Sequence, residues 1–408
     1  LNRDYTRYTQ AYQRMTGDTN TKFEEDTWPV SDRVVLFIRK DVAAQIWDFG
    51  VGGAEVGGLP ADQFANRRCD TCTAEIILRN PTSPMLNPRG VATDRQGNLY
   101  IADSQNARIL IYNEFGVLQR QFGTATVTNA QNALPEIGTF REPWGIAVAN
   151  DGTIFVADTW NHRVQVFAPD GTPLRTWGTF GQADASAPAS VANPQAFYGP
   201  RAIAVDAKNH VYVADTGNMR IRVYTGEGSF LYDIGMKGQQ AGQMYEPVGV
   251  AVNNRTEELF VANTWNKRID VFTLGGMHLR SWEVQGWYAT TPTADSGNRP
   301  YLALDDTGTY LLVTDPDAGR VLVYDTLGTP VLSFGRSGVA PFESGNEFGA
   351  LGGITVDMQG RIYLADAGGA RVLRFPLARL PGLVRPVSGL FPPTETTPEA
   401  ASPTPDDF

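Results

Sequence analysis

The sequence predicts an all-β fold, a six-bladed β-propeller whose blades are four-stranded antiparallel sheets, and three observations carry that prediction. A short stretch recurs six times, each copy ending on Asp or Asn with Arg five residues later: Asp103/Arg108, Asp158/Arg163, Asp215/Arg220, Asn263/Arg268, Asp315/Arg320 and Asp366/Arg371. Successive copies lie 55, 57, 48, 52 and 51 residues apart, a spacing that marks a repeat architecture. Each unit reads as four apolar runs divided by Gly, Asn, Asp and Pro, the pattern of strands joined by hairpins. A sheet with two apolar faces cannot bury both alone, and stacking six of them radially solves the problem.

The second unit is the clearest. Gly145–Val148 is apolar on both faces, as an inner strand should be, and an Asp151-Gly152 turn leads to Ile154–Ala157. A tight Asp-Thr-Trp-Asn turn precedes Val164–Phe167, and Pro169-Asp170-Gly171 precedes Leu174–Trp177. Around that tight turn the chain resembles the NHL repeat family, named for an Asn-His-Leu-like stretch. Asn161-His162-Arg163-Val164 matches closely, while Asn218-Met219-Arg220-Ile221, Asn266-Lys267-Arg268-Ile269 and Asn106-Ala107-Arg108-Ile109 are near copies. The fifth and sixth units depart, with Ala318-Gly319-Arg320-Val321 and Gly369-Ala370-Arg371-Val372, but keep the Arg and the apolar strand. The likeness covers about residues 74–376 and implies the propeller. It does not fix an activity, because one fold hosts many.

The segment before the repeats, residues 1–73, reads as a docking arm. Tyr5, Tyr8 and Tyr12 are spaced for one face of a short helix, Val34–Ile38 is strand-like, and Asp41 can cap a helix running to Trp47. Residues 28–47 are similar to the soluble end of large bacterial membrane glycosyltransferases with appended NHL repeats, without a catalytic motif. Cys69 and Cys72 are the only cysteines. Thr73 stands where a covalent haem site needs His, a zinc site would need a second ligand pair, and no βαβ unit supports a thioredoxin motif. A short-loop disulfide or two inert thiols remain, and the disulfide fits an extracytoplasmic protein. The sixth unit lacks an outer strand, breaking off at Pro376, and Ala74–Arg79 has the strand character to supply it, leaving no open seam. Residues 377–408 form a Pro/Thr-rich acidic tail, too poor in apolar residues to fold alone.

Composition narrows the function. A formal charge of −10 argues against nucleic acid, which needs a basic footprint. No run of 18 apolar residues offers a membrane span. The chain begins at Leu1, so a processed or excerpted product is expected, with any targeting segment outside it. The six Asp/Asn and six Arg are expected to serve the blades, the carboxylates accepting turn N–H groups and the guanidiniums tying adjacent elements.

Function is therefore sought where the units differ. The outer-to-inner connections are long at Gly123–Glu142, Gly178–Gly199 and Glu283–Arg299. Residues after the inner-strand prolines, Arg89, Trp144, Arg201, Val248 and Tyr301, are expected on the rim of the central channel. Trp160 and Trp265 sit on hairpin tips, with Trp287 and Tyr288 on a long loop. Aromatics and a few Arg at exposed turns suit protein contact or stacking on a sugar, unless the loops cover them. The three histidines, His162, His210 and His278, all fall off the inner strands, so a His-built channel metal site is not expected. Nor is there a nucleophile elbow or a Ser/His/Asp grouping. No cofactor is indicated, Ca²⁺ being the ion that carbonyls and carboxylates can hold without a motif. The expected function is a non-catalytic interaction module of an extracytoplasmic or cell-surface assembly, with protein partners or neighbouring subunits. A carbohydrate-binding module beside a glycosyltransferase and a channel-metal lyase or hydrolase are the alternatives.

Overall fold

The computed structural model describes residues 63–80, 82–126, 135–182, 193–284, 287, 299–342, 344–377, 380–381 and 383. The arm over residues 1–62, Tyr288 and the tail from residue 384 lie outside the described residues. Six blades are present. The first four are each built from four consecutive antiparallel strands: Pro88–Thr93 to Leu118–Phe122, Pro143–Val148 to Pro173–Trp177, Ile203–Val205 to Phe230–Ile234, and Pro247–Asn253 to His278–Glu283. The second strand of every blade is largely apolar and almost fully buried, and the third is buried but for its ends, since both are sandwiched between neighbouring blades. Outer strands such as Leu118–Phe122 are largely exposed.

The fifth and sixth blades differ from these at their outer edges. Ile76–Leu78 pairs antiparallel with Arg371–Pro376, in register Ile76 with Arg374 and Leu78 with Val372, and fills the outer position of the sixth blade. Just before it, Arg68–Cys69 runs parallel to Pro330–Phe334 and makes the fifth blade five-stranded. Cys69 and Cys72 form a disulfide with Cα atoms 5.4 Å apart, and both are buried beside Phe334, Phe348 and Phe375. The bridge turns the chain sharply between the two blades.

Blades meet most closely along the inner strands, where glycine is required. A Cβ on Gly145 would stand 2.6 Å from the Arg201 carbonyl, and one on Gly249 would stand 2.8 Å from that of Pro300. The outer-to-inner connections are pinned by two-residue parallel pairs: Thr124–Ala125 with Thr139–Phe140, Thr179–Phe180 with Ala196–Phe197, and Arg336–Ser337 with Glu347–Phe348.

Candidate functional site

The repeated Asp/Asn residues are buried, their Arg partners are buried in the second, third and sixth blades and half-buried in the others, and together they hold these connections in place. Asp158 Oδ1 accepts the Arg141 N–H at 2.8 Å, and its Oδ2 accepts Arg163 Nε at 2.9 Å, Asn161 Nδ2 at 2.8 Å and Gln165 Nε2 at 2.9 Å. Arg163 then donates to the carbonyls of Pro135, Glu136 and Thr139 in the incoming connection. Asp103 with Arg108, Asp215 with Arg220, Asp315 with Arg320 and Asp366 with Arg371 make the same ion pair at 2.7–2.9 Å. Burial pushes the Asp158 and Asp215 carboxyls up, against their N–H and guanidinium partners. The fourth blade solves the problem differently. Asn263 Oδ1 accepts the Tyr245 N–H at 2.8 Å, but Arg268 Nε pairs with Asp270 at 3.0 Å, and Asn263 Nδ2 donates to the same Asp270 oxygen at 2.6 Å. None of these twelve side chains is available to a ligand as a ring of charges.

In four blades the start of the inner strand pairs with the end of the second strand, Pro88 with Asp103, Pro143 with Asp158, Pro247 with Asn263 and Leu351 with Asp366. The inner-strand prolines, the residues after them and the tight turns therefore share one end of the propeller. In four blades the residue before that proline is left-handed, Asn87, Glu142, Gly199 and Glu246, with φ between 49° and 62°. The kink comes two residues before the one that faces the channel, Arg89, Trp144, Arg201 or Val248.

There the exposed-rim expectation fails for two of its aromatics. Trp144 is only 2 % exposed and fills the channel instead of standing on its edge. Its ring lies under the guanidiniums of Arg89 at 4.6 Å, Arg201 at 5.0 Å and Arg299 at 4.5 Å. Arg299 comes from the fifth blade, opposite the second, so the indole spans the opening. Tyr301 is 6 % exposed for the same reason: six inner strands converge on a bore that a few large side chains close. Arg89 and Arg201 hold the rim position expected of them but turn onto the indole. Arg299, which carries the third cation, was missed because it precedes the proline. Trp287 is also a correction. At 1 % exposure it packs with Phe64, Leu311 and Tyr324, because the Glu283–Arg299 connection turns back onto the blades at Val284, whose carbonyl accepts the Trp287 N–H.

Trp160 and Trp265 are half-buried at the middle of the Thr159–Asn161 and Thr264–Asn266 turns, where the first and third blades carry Gln105 and Gly217. Each turn closes on a left-handed residue, His162 at φ 55° and Lys267 at φ 54°. Around Trp160 an aromatic group gathers: His162 lies 6.2 Å from it, 4.9 Å from Phe180 and 6.1 Å from Tyr198. Phe180 is 58 % exposed. His162 Nδ1 accepts the Gly199 N–H at 3.1 Å, and burial, with Arg141 nearby, holds the imidazole below its usual pKa. Trp265 lines a cleft of about 310 Å³ with Gln239, Asn266, Lys267, Arg268 and Glu283.

The NHL repeat family model matches residues 85–112, 140–167 and 197–224, the inner three strands of the first three blades. The chain carries NHL repeats. Curated proteins similar to it include Protein brain tumor of Drosophila melanogaster, 28 % identical over 142 residues, 35 % of this chain and 13 % of that protein. Protein SUPPRESSOR OF QUENCHING 1, chloroplastic, of Arabidopsis thaliana is 24 % identical over 359 residues, 78 % of this chain and 33 % of that one. NHL repeat-containing protein 2 of Homo sapiens is 36 % identical over 86 residues, 21 % of this chain and 12 % of that protein. The chain thus spans a third or less of the curated relatives it matches. Among solved structures, a streptogramin B lyase aligns over 73 % of this chain and 96 % of its own, at 15 % identity and TM-score 0.47. A chain of a nidogen/laminin complex aligns over 66 % and 85 %, at 18 % identity and TM-score 0.48.

Proposed function

We propose that this NHL-repeat propeller is a non-catalytic protein-interaction module that docks a partner on the end carrying the tight turns. The observation that supports it is the aromatic group of Trp160, His162, Phe180 and Tyr198, with Trp265 two blades away in the equivalent turn. Phe180 is exposed, Trp160 and Trp265 are half-buried where the first and third blades carry Gln105 and Gly217, and aromatics that depart from the repeat in this way are the kind that anchor interfaces. The opposite end offers ion pairs instead, as between Lys208 and Glu257 at 3.0 Å. The buried Cys69–Cys72 disulfide favours an oxidising, extracytoplasmic setting. Photo-crosslinking residues at positions 180 and 265 should trap one protein in native material, and those at 95 and 208 should not. Equal capture from both ends would defeat this reading.

A glycan is the second reading, favoured by one feature. The Trp265 cleft combines an indole with amide, cationic and carboxylate groups, the combination that stacks on and hydrogen-bonds a sugar ring. A glycan array separates the two.

A further inference from the structure

The channel cluster is chemically unlike the rest of the propeller and, though at the same end as the proposed docking surface, shares none of its residues. Three guanidiniums meet over one indole, although like charges repel and each must give up water to be there. Arg201 makes no side-chain hydrogen bond among the described residues, and its nearest carboxylate, Glu246, stands 3.8 Å from Nη1. Arg201 Nε, Trp144 Nε1 and Tyr301 Oη are all buried without a hydrogen-bond partner. Burial, then the charge of Arg299, lowers the Arg201 pKa to about 10. Burial raises that of the Tyr301 phenol against the pull of all three arginines, so Tyr301 remains a donor.

Buried donors of this kind are ordinarily satisfied, because one left alone has given up its water for nothing. A repeat protein has an easy way to avoid that cost: the equivalent positions in the fourth and sixth blades are Val248 and Gly352. Keeping the Arg201 guanidinium, a phenol and an indole N–H together without acceptors makes sense when a negatively charged group completes them. We propose that this end of the channel is a binding site for a carboxylate-bearing ligand, held against the Trp144 indole by Arg201, Arg89 and Arg299 with Tyr301 Oη as a further donor. A guanidinium edge takes either anion bidentately, but the unsatisfied donors on Arg201, the indole and the phenol are few and lie in flat groups, which suits a planar two-oxygen carboxylate over a tetrahedral phosphate with more oxygens to satisfy. The remaining wall, Val248 and Gly352, is apolar or bare.

The test uses the full chain after exhaustive dialysis, with thermal unfolding followed against succinate, inorganic phosphate and neutral succinamide at constant ionic strength. Succinate should raise the melting temperature saturably, and phosphate and succinamide should not. In Y301F the midpoint of the succinate response should move about tenfold higher. In R201Q the response should vanish while the ligand-free protein melts no lower, because a repelling charge has gone. If R201Q does not fold, R201K keeps the charge without the side-on Nε donor and should show at least the tenfold loss. A response no larger than that to sodium chloride, one shared equally by phosphate or succinamide, or one retained in R201Q and R201K overturns the proposal. None of these outcomes bears on crosslinking from positions 180 and 265, so the site and the docking surface fail independently.

Discussion

Two rings of residues encircle the propeller, and they obey opposite rules. The ring of Asp–Arg pairs is nearly uniform, and each pair is spent on carbonyls and N–H groups of the incoming connection. The ring of post-proline residues runs Arg89, Trp144, Arg201, Val248, Tyr301, Gly352: no two neighbours alike, with Trp144 Nε1, Arg201 Nε and Tyr301 Oη finding no acceptor. Uniformity goes with satisfied bonds because every blade has the same connection to hold. Variation marks where something other than the blade sets the choice.

That contrast can be broken at its strong end first. Asp158→Ala strands the Arg163 guanidinium and three further donors in the interior, and should cost about 4 kcal/mol by chemical denaturation. A loss below about 1 kcal/mol would show the pair to be dispensable. Trp144→Ala opens the channel and should cost about 3 kcal/mol by the same measurement, as large aromatic truncations in packed sites do. Asn263→Asp places a second carboxylate 2.6 Å from the Asp270 oxygen and should cost about 2 kcal/mol, with D270N restoring most of it. No rescue in the double variant would mean that the fourth blade's exchange of Asp for Asn is not a charge relocation.

His162 gives the pH-dependent case. Its folded pKa lies below the unfolded value of about 6.5, so the unfolded chain takes up the proton first. Its contribution to stability is full above about pH 6.5 and is lost as pH falls through the folded pKa. Protonation also removes the acceptor for the Gly199 N–H. Denaturation midpoints should fall more steeply in the wild type than in H162Q as pH is lowered from 7.5 to 5, and parallel curves would count against the assignment. The smallest effect is expected at Trp160: Ala there should change stability by about 0.5 kcal/mol but weaken partner binding by roughly 2 kcal/mol.

The blades were legible in the sequence because each Asp-to-Arg step fixes the strand pairing on both sides of one tight turn. Asp158 opposite Arg163 and Asp215 opposite Arg220 are the registers that the five-residue spacing demands. The site was legible only in part. Position after a proline told which residues reach the channel but not that six strands leave room for one indole across it, so Trp144 and Tyr301 read as exposed. Trp287 is held by Phe64, from a segment with no repeat signal. The two-residue strand Arg68–Cys69 is too short for any periodicity to show. Arg268 gave a signal that went unread: its blade has Asn for Asp and carries Asp270 two residues on, one carboxylate moved rather than lost.

The outer strand of the last blade comes from before the first, and this sets a timetable on synthesis. Glu75 leaves the ribosome long before Arg374, the residue it grips at 2.9 Å across 299 positions. At about 5–20 residues per second that wait is roughly 15–60 s. Throughout it, Ile76–Leu78 is an unpaired apolar strand while five blades assemble beyond it, and the nascent protein is an open arc with a sticky end at each side. A chaperone that shields the early strand, or a neighbouring chain that borrows it, would act in that interval. Exchange of this strand between two copies is therefore the misassembly this architecture invites.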